Sequence, residues 1–147
     1  MWIVPSLVTE RIESVKAGIV SAGAFAIAEL VIILVKTLII TRVLEFSPAT
    51  DIINWEFAFQ LAIGAVSGFL FGVTYRYLIR ADRNSHLNDG AVMAFGLVRG
   101  LALVEGNLIV SELLSLGVLI LQSIICFAIA RLAIDSAISR KLIKPFI

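Results

Sequence analysis

The chain has 147 residues, one domain by length, with 60% hydrophobic and only 16% charged side chains and a mean hydropathy of +1.03. A soluble domain averages about 45–50% apolar and about 25% charged, so this composition excludes a soluble enzyme domain, a disordered tail and a disulfide-stapled secreted module. A net charge of +1 with a pI near 7.9 sets up no field for a polyanion and argues against nucleic acid as a partner; a single cysteine, Cys126, makes neither an internal disulfide nor a thiolate metal site.

Residues 1–16 mix apolar positions at helical spacing (Leu7, Val8, Ile12, Val15) with Glu10, Arg11, Glu13 and Lys16. With Ser6 as N-cap and Trp2 as anchor they predict a short amphipathic helix in the membrane interface. The alternative is a helical lead-in to the first span. Residues 17–40 carry only Glu29 and Lys36 as charges, and at about 1.5 Å per residue they cross the roughly 30 Å hydrocarbon core. Residues 41–56 form a connector with Pro48, Asp51 and Asn54, and residues 57–79 a second span with Trp55, Tyr75 and Tyr77 near its ends.

Residues 80–89 are the most polar stretch and read as an exposed loop, with Asn88-Asp89-Gly90 as a turn that caps the next helix. A third segment, 90–107, is apolar over 91–104 apart from Arg99; that apolar stretch reaches only about 21 Å, short for a full crossing. A fourth span, 108–134, holds Glu112, Gln122 and Arg131, and the tail is basic. The chain therefore predicts a single all-α, four-segment integral membrane domain over 1–147. Arg11, Lys16, Arg76, Arg80, Arg83, Arg131, Arg140, Lys141 and Lys144 then share one side, which puts both termini in the cytoplasm or the stroma.

Gly64, Gly68 and Gly72 step by four along the second span, each rotated about 40° from the last. Small residues let a partner backbone approach, and that packing drives helix association in lipid. Gly18, Ala22 and Ala26 form a comparable stripe on the first span, bordered by the bulky Phe25. The two stripes are expected to face each other in an antiparallel hairpin; the alternative is that the glycines face another protein.

Glu29 falls near the bilayer midplane, where a carboxylate is costly and becomes a functional hypothesis by default. Arg99 keeps its proton and needs an anionic or carbonyl partner. Glu29 is its natural candidate and Glu112 the second. The pair would fix helix register, line a proton or ion path, or touch a lipid, pigment or subunit. Lys36 lies two turns beyond Glu29 and can snorkel outward, while Gln122 can hydrogen-bond across helices.

His86 is the only histidine, and Asp82 and Asp89 beside it make a poor metal site. The sequence has no nucleophile–histidine motif, phosphate loop, HExxH or CxxC, so neither catalysis nor a cofactor is expected. Arg76, Arg80 and Arg83, with Asp82 and His86, form a basic loop that either obeys the positive-inside bias or docks to acidic lipid or an acidic partner.

The run Tyr75-Arg76-Tyr77, Arg80, Asp82, Asn84, His86-Leu87, Gly90 and Ala94-Phe95-Gly96-Leu97-Val98-Arg99-Gly100 resembles small multi-spanning membrane proteins of cyanobacteria and chloroplasts. That resemblance implies a thylakoid or plasma-membrane setting and a link to photosynthetic complexes. Two functions follow from the residues. One is a non-catalytic accessory or assembly protein of a larger membrane complex; the other is a small homo-oligomeric transporter or channel using Glu29 and Arg99. Its partners would be the bilayer, other membrane subunits or copies of itself.

Overall fold

The computed structural model describes residues 6–44, 54–79, 84–106 and 113–145. Every regular element among them is an α-helix: α1 (Leu7–Leu44), α2 (Trp55–Leu78), α3 (Ser85–Gly106) and α4 (Leu113–Ser139). All four are long and apolar enough to cross a bilayer. The chain is an integral membrane protein.

α1 is one helix of 38 residues, about 57 Å long. The first turns are therefore the lead-in to the first span, without a break that would make a separate interfacial helix. No proline or glycine interrupts residues 7–17, and Ser6 accepts the Thr9 amide at 3.3 Å. α3 starts five positions before the expected boundary and reaches about 33 Å over its 22 residues, so the third segment is not short. The turn expected at Asn88-Asp89-Gly90 lies inside α3. Asn84 does the capping instead, its Oδ1 accepting the His86 amide at 3.2 Å. Gly90 keeps an ordinary helical φ. α4 runs to Ser139, five positions past the expected end.

α1 packs along α2 and α4, α3 packs along α4, and α2 touches α3 and α4 more lightly. Among the described residues α1 and α3 have no close backbone approach; they form the long diagonal of the bundle. The start of α1 and the end of α4 share one end, called here the near end. α4 closes with Lys141 at φ 60 and with Leu142 N–H donating to Ala137 O at 2.9 Å, the pattern of a Schellman cap. This turn folds the tail back, so Ile143 is buried against Ala17 and Ala137.

Polarity is arranged for lipid. Ile27, Leu34, Val66, Val98 and Leu132 face outward, while Glu29, Arg76, Arg99 and Gln122 are buried. The middle of the bundle is a phenyl layer. Phe127 lies 4.8 Å from Phe25, 5.2 Å from Phe71 and 5.8 Å from Phe95 between ring centroids. Such tilted pairs are favourable beyond the area they bury.

Candidate functional site

The glycine ladder of α2 is set against α1. A methyl group on Gly72 would stand 2.5 Å from Ala17 O, and one on Gly68 would stand 3.2 Å from Ala22 Cα. Phe25 is more than a border to this seam. Its ring seats over Gly68 and Gly64, where the missing side chains make room. In the same way Gly18 receives Phe69 from α2, and Ala26 is half-buried. A second seam joins α3 to α4: Gly96 and Gly100 leave space for the Ile124 and Ile120 backbones, at 2.8 and 2.7 Å from the positions a Cβ would take. Gly96-xxx-Gly100 is a legible small-residue motif, although Arg99 beside it draws attention first.

Above the phenyl layer Arg99 Nη2 donates to Glu29 Oε1 at 2.9 Å, with both side chains less than a tenth exposed. The pair spans the diagonal from α3 to α1, where the backbones stay apart and only two long side chains can meet. The Arg99 guanidinium lies 5.1 Å over the Phe25 ring, a cation–π contact from below. Gly64 faces the pair directly: a Cβ there would collide with Glu29 Oε2 and stand 3.0 Å from Arg99 Nη2. Glu29 Oε2 has no hydrogen-bond partner of its own. Further toward the far end Lys36 donates to Gln122, tying α1 to α4.

The near end carries an ionic lattice. Arg76 is fully buried, so it is no part of an exposed docking loop. Its Nη2 bonds Glu10 Oε2 at 2.6 Å, Nη1 bonds Ser14 Oγ at 2.7 Å, and Nε bonds Lys144 O at 3.0 Å. Glu13 accepts the Lys144 amide at 3.0 Å and the Lys16 ammonium at 2.8 Å. Tyr75 donates to Asp135 at 3.0 Å, and Arg131 pairs with Asp89. Sequence reasoning missed this lattice because a basic residue at a span end looks like topology bias. Its partners come from other helices and from the tail.

His86 is exposed in the first turn of α3. Arg80, Asp82, Arg83 and Glu112 lie outside the described residues. Among the described residues no three His, Cys, Asp or Glu side chains gather as metal ligands.

Two cavities open between α2 and α3, where the helices touch least. One, of about 370 Å³, descends from Trp55, Glu56 and Gly106 at the far end past Phe59, Gln60, Ile63 and Leu103 to Arg99. The other, of about 270 Å³, continues below it past Ile63, Ser67, Val98 and Arg99. No protein-family model, curated protein or solved structure matches the chain.

Proposed function

We propose that this protein is a non-catalytic accessory, structural or assembly subunit of a larger membrane complex. One observation carries the reading: the buried charges Glu29, Arg76 and Arg99, and Gln122 with them, are bonded across from one helix to another. Glu10–Arg76 ties α1 to α2, Glu29–Arg99 ties α1 to α3, Lys36–Gln122 ties α1 to α4, and Asp89–Arg131 ties α3 to α4. The mid-span ties Glu29–Arg99 and Lys36–Gln122 replace unsatisfied polar groups in hydrocarbon, and with the near-end pairs they make the bundle a fixed shape for other subunits to pack on. The setting is a thylakoid or bacterial plasma membrane, with the near end and both termini on the cytoplasmic or stromal side, where Arg131, Arg140, Lys141 and Lys144 gather.

The second reading, a homo-oligomeric transporter or channel, draws on the cavity that reaches Arg99 from one end. The phenyl layer blocks a wet path through one protomer, so the route would run between protomers. Isolation from native membranes in a mild detergent separates the two readings. Stoichiometric foreign subunits are expected. A discrete homo-oligomer that emerges alone and conducts ions in liposomes, with flux abolished by Glu29→Gln, refutes the accessory reading.

A further inference from the structure

The α2–α3 cavity has the make-up of a ligand site. Its walls are Trp55, Phe59, Ile63 and Leu103 with the Gln60 amide among them, and its floor is a guanidinium less than a tenth exposed. Arg99 is seven residues before Gly106, so the floor lies about 10 Å inside the far end of α3. One of its five N–H donors goes to Glu29, and the guanidinium borders both cavities. A buried donor facing a roomy, apolar-walled space has the pattern of a site for one polar group on a hydrophobic body.

Charge decides which polar group. Arg99 is already neutralised by Glu29, and Glu56 stands at the mouth. Lys36 lies two turns beyond Glu29 along α1, is bonded to Gln122 of α4, and does not line the cavity. An anion on the floor would leave a net negative charge in low dielectric, next to a second carboxylate. An uncharged oxygen acceptor accepts the same N–H and adds no charge.

We propose that this cavity holds the head of a membrane lipophile with an uncharged carbonyl oxygen, which accepts a hydrogen bond from Arg99 while its tail runs along Ile63 toward Val98. Two sources share that chemistry: the ring ketone of a tailed quinone and the ester carbonyl of a bilayer lipid. The site is independent of the accessory reading, since a bound lipophile is compatible with a subunit or with a transporter.

Trp55 lines the cavity, and Trp2→Phe leaves it as the sole tryptophan. The full chain in lipid nanodiscs is titrated with a benzoquinone bearing a ten-carbon tail, with decanoate, and with brominated phosphatidylcholine as the host lipid. Saturable quenching of Trp55 by the quinone is expected, with apparent affinity at least tenfold weaker in Ile63→Phe, which fills the cavity and leaves the Glu29–Arg99 pair intact. Bromolipid quenching that the quinone does not displace, and that Ile63→Phe removes, assigns the site to an ester carbonyl. Tighter binding of decanoate overturns the choice of an uncharged head. Quenching that never saturates and is identical in Ile63→Phe overturns the site altogether. Leu103→Phe repeats the test from the opposite wall should Ile63→Phe misfold.

Discussion

Gly64→Ala is the sharpest test of why the glycine ladder exists. The added methyl overlaps Glu29 Oε2 and stands 3.0 Å from both Arg99 Nη2 and Phe25 Cε1. A carboxylate at the end of a flexible side chain can swing away. It cannot do so and keep its bond to Arg99, because the two oxygens move as one rigid group. Weakening a hydrogen bond to a charged group costs about 1.5–3 kcal/mol, and crowding a packed seam costs about 1–3 kcal/mol. Alanine returns up to about 1 kcal/mol of helix propensity, so the net loss is about 1.5–5 kcal/mol. Gly23→Ala is the control, since nothing lies within 4 Å of its added methyl; it should be neutral or gain up to about 1 kcal/mol. Reversible unfolding in mixed micelles, followed by circular dichroism, reads both. In a Glu29→Ala background, where no carboxylate remains to be displaced, the Gly64→Ala penalty should shrink by more than half. If Gly64→Ala unfolds alongside Gly23→Ala, or its penalty is unchanged without Glu29, the ladder does not serve the pair.

Two further outcomes follow from the same geometry. Glu29→Leu or Arg99→Met alone strands a buried charge and should cost about 3–5 kcal/mol each, while the double variant should cost less than either; additive losses in the same unfolding assay would show that the two side chains act separately. In a Cys126→Ala background, Ser6→Cys and Ser139→Cys should react with an impermeant maleimide from the same face of a sealed vesicle, because Glu13 and Lys144 hold the start of α1 and the tail together; labelling from opposite faces refutes the near-end lattice.

The four spans are legible because lipid imposes one simple rule: an apolar run long enough to cross. Their boundaries are less so. The five positions from Ser85 to Asp89, four of them polar, look like loop by composition, yet they extend α3, because Asp89 gains Arg131 as a partner and Asn84 already caps the start. A composition window cannot see a partner 42 residues away. Arg76 is misleading for the same reason. On one helix it is a basic residue at a span end; in three dimensions it bonds α1 and the tail through three nitrogens. Spacing by four identifies Gly64, Gly68 and Gly72 as close-approach positions, but not that the object admitted is the ring of Phe25. That outcome depends on the relative height of two helices.

The contrast between the seams bears on where this protein meets other molecules. Between lipid-bathed helices there is no hydrophobic force, so association rests on close packing and on polar groups that need partners. The α1–α2 and α3–α4 seams use both: glycines that bring backbones together, and charges that cross. The α2–α3 face uses neither to the full. No glycine of α2 faces α3 in the way that Gly64, Gly68 and Gly72 face α1, and the space left between the two helices opens onto Arg99. Ser67, on that face, already donates to Ile63 O at 2.8 Å and needs nothing from outside. The bordering side chains with donors are therefore Gln60 and, deepest, Arg99, in a gap that van der Waals contact would reward filling. At mid-span the outer faces of α1 and α4 expose Ile27, Leu34 and Leu121, side chains that lipid solvates equally well. The proposed lipophile site thus falls where the bundle leaves both a gap and a buried donor unfilled.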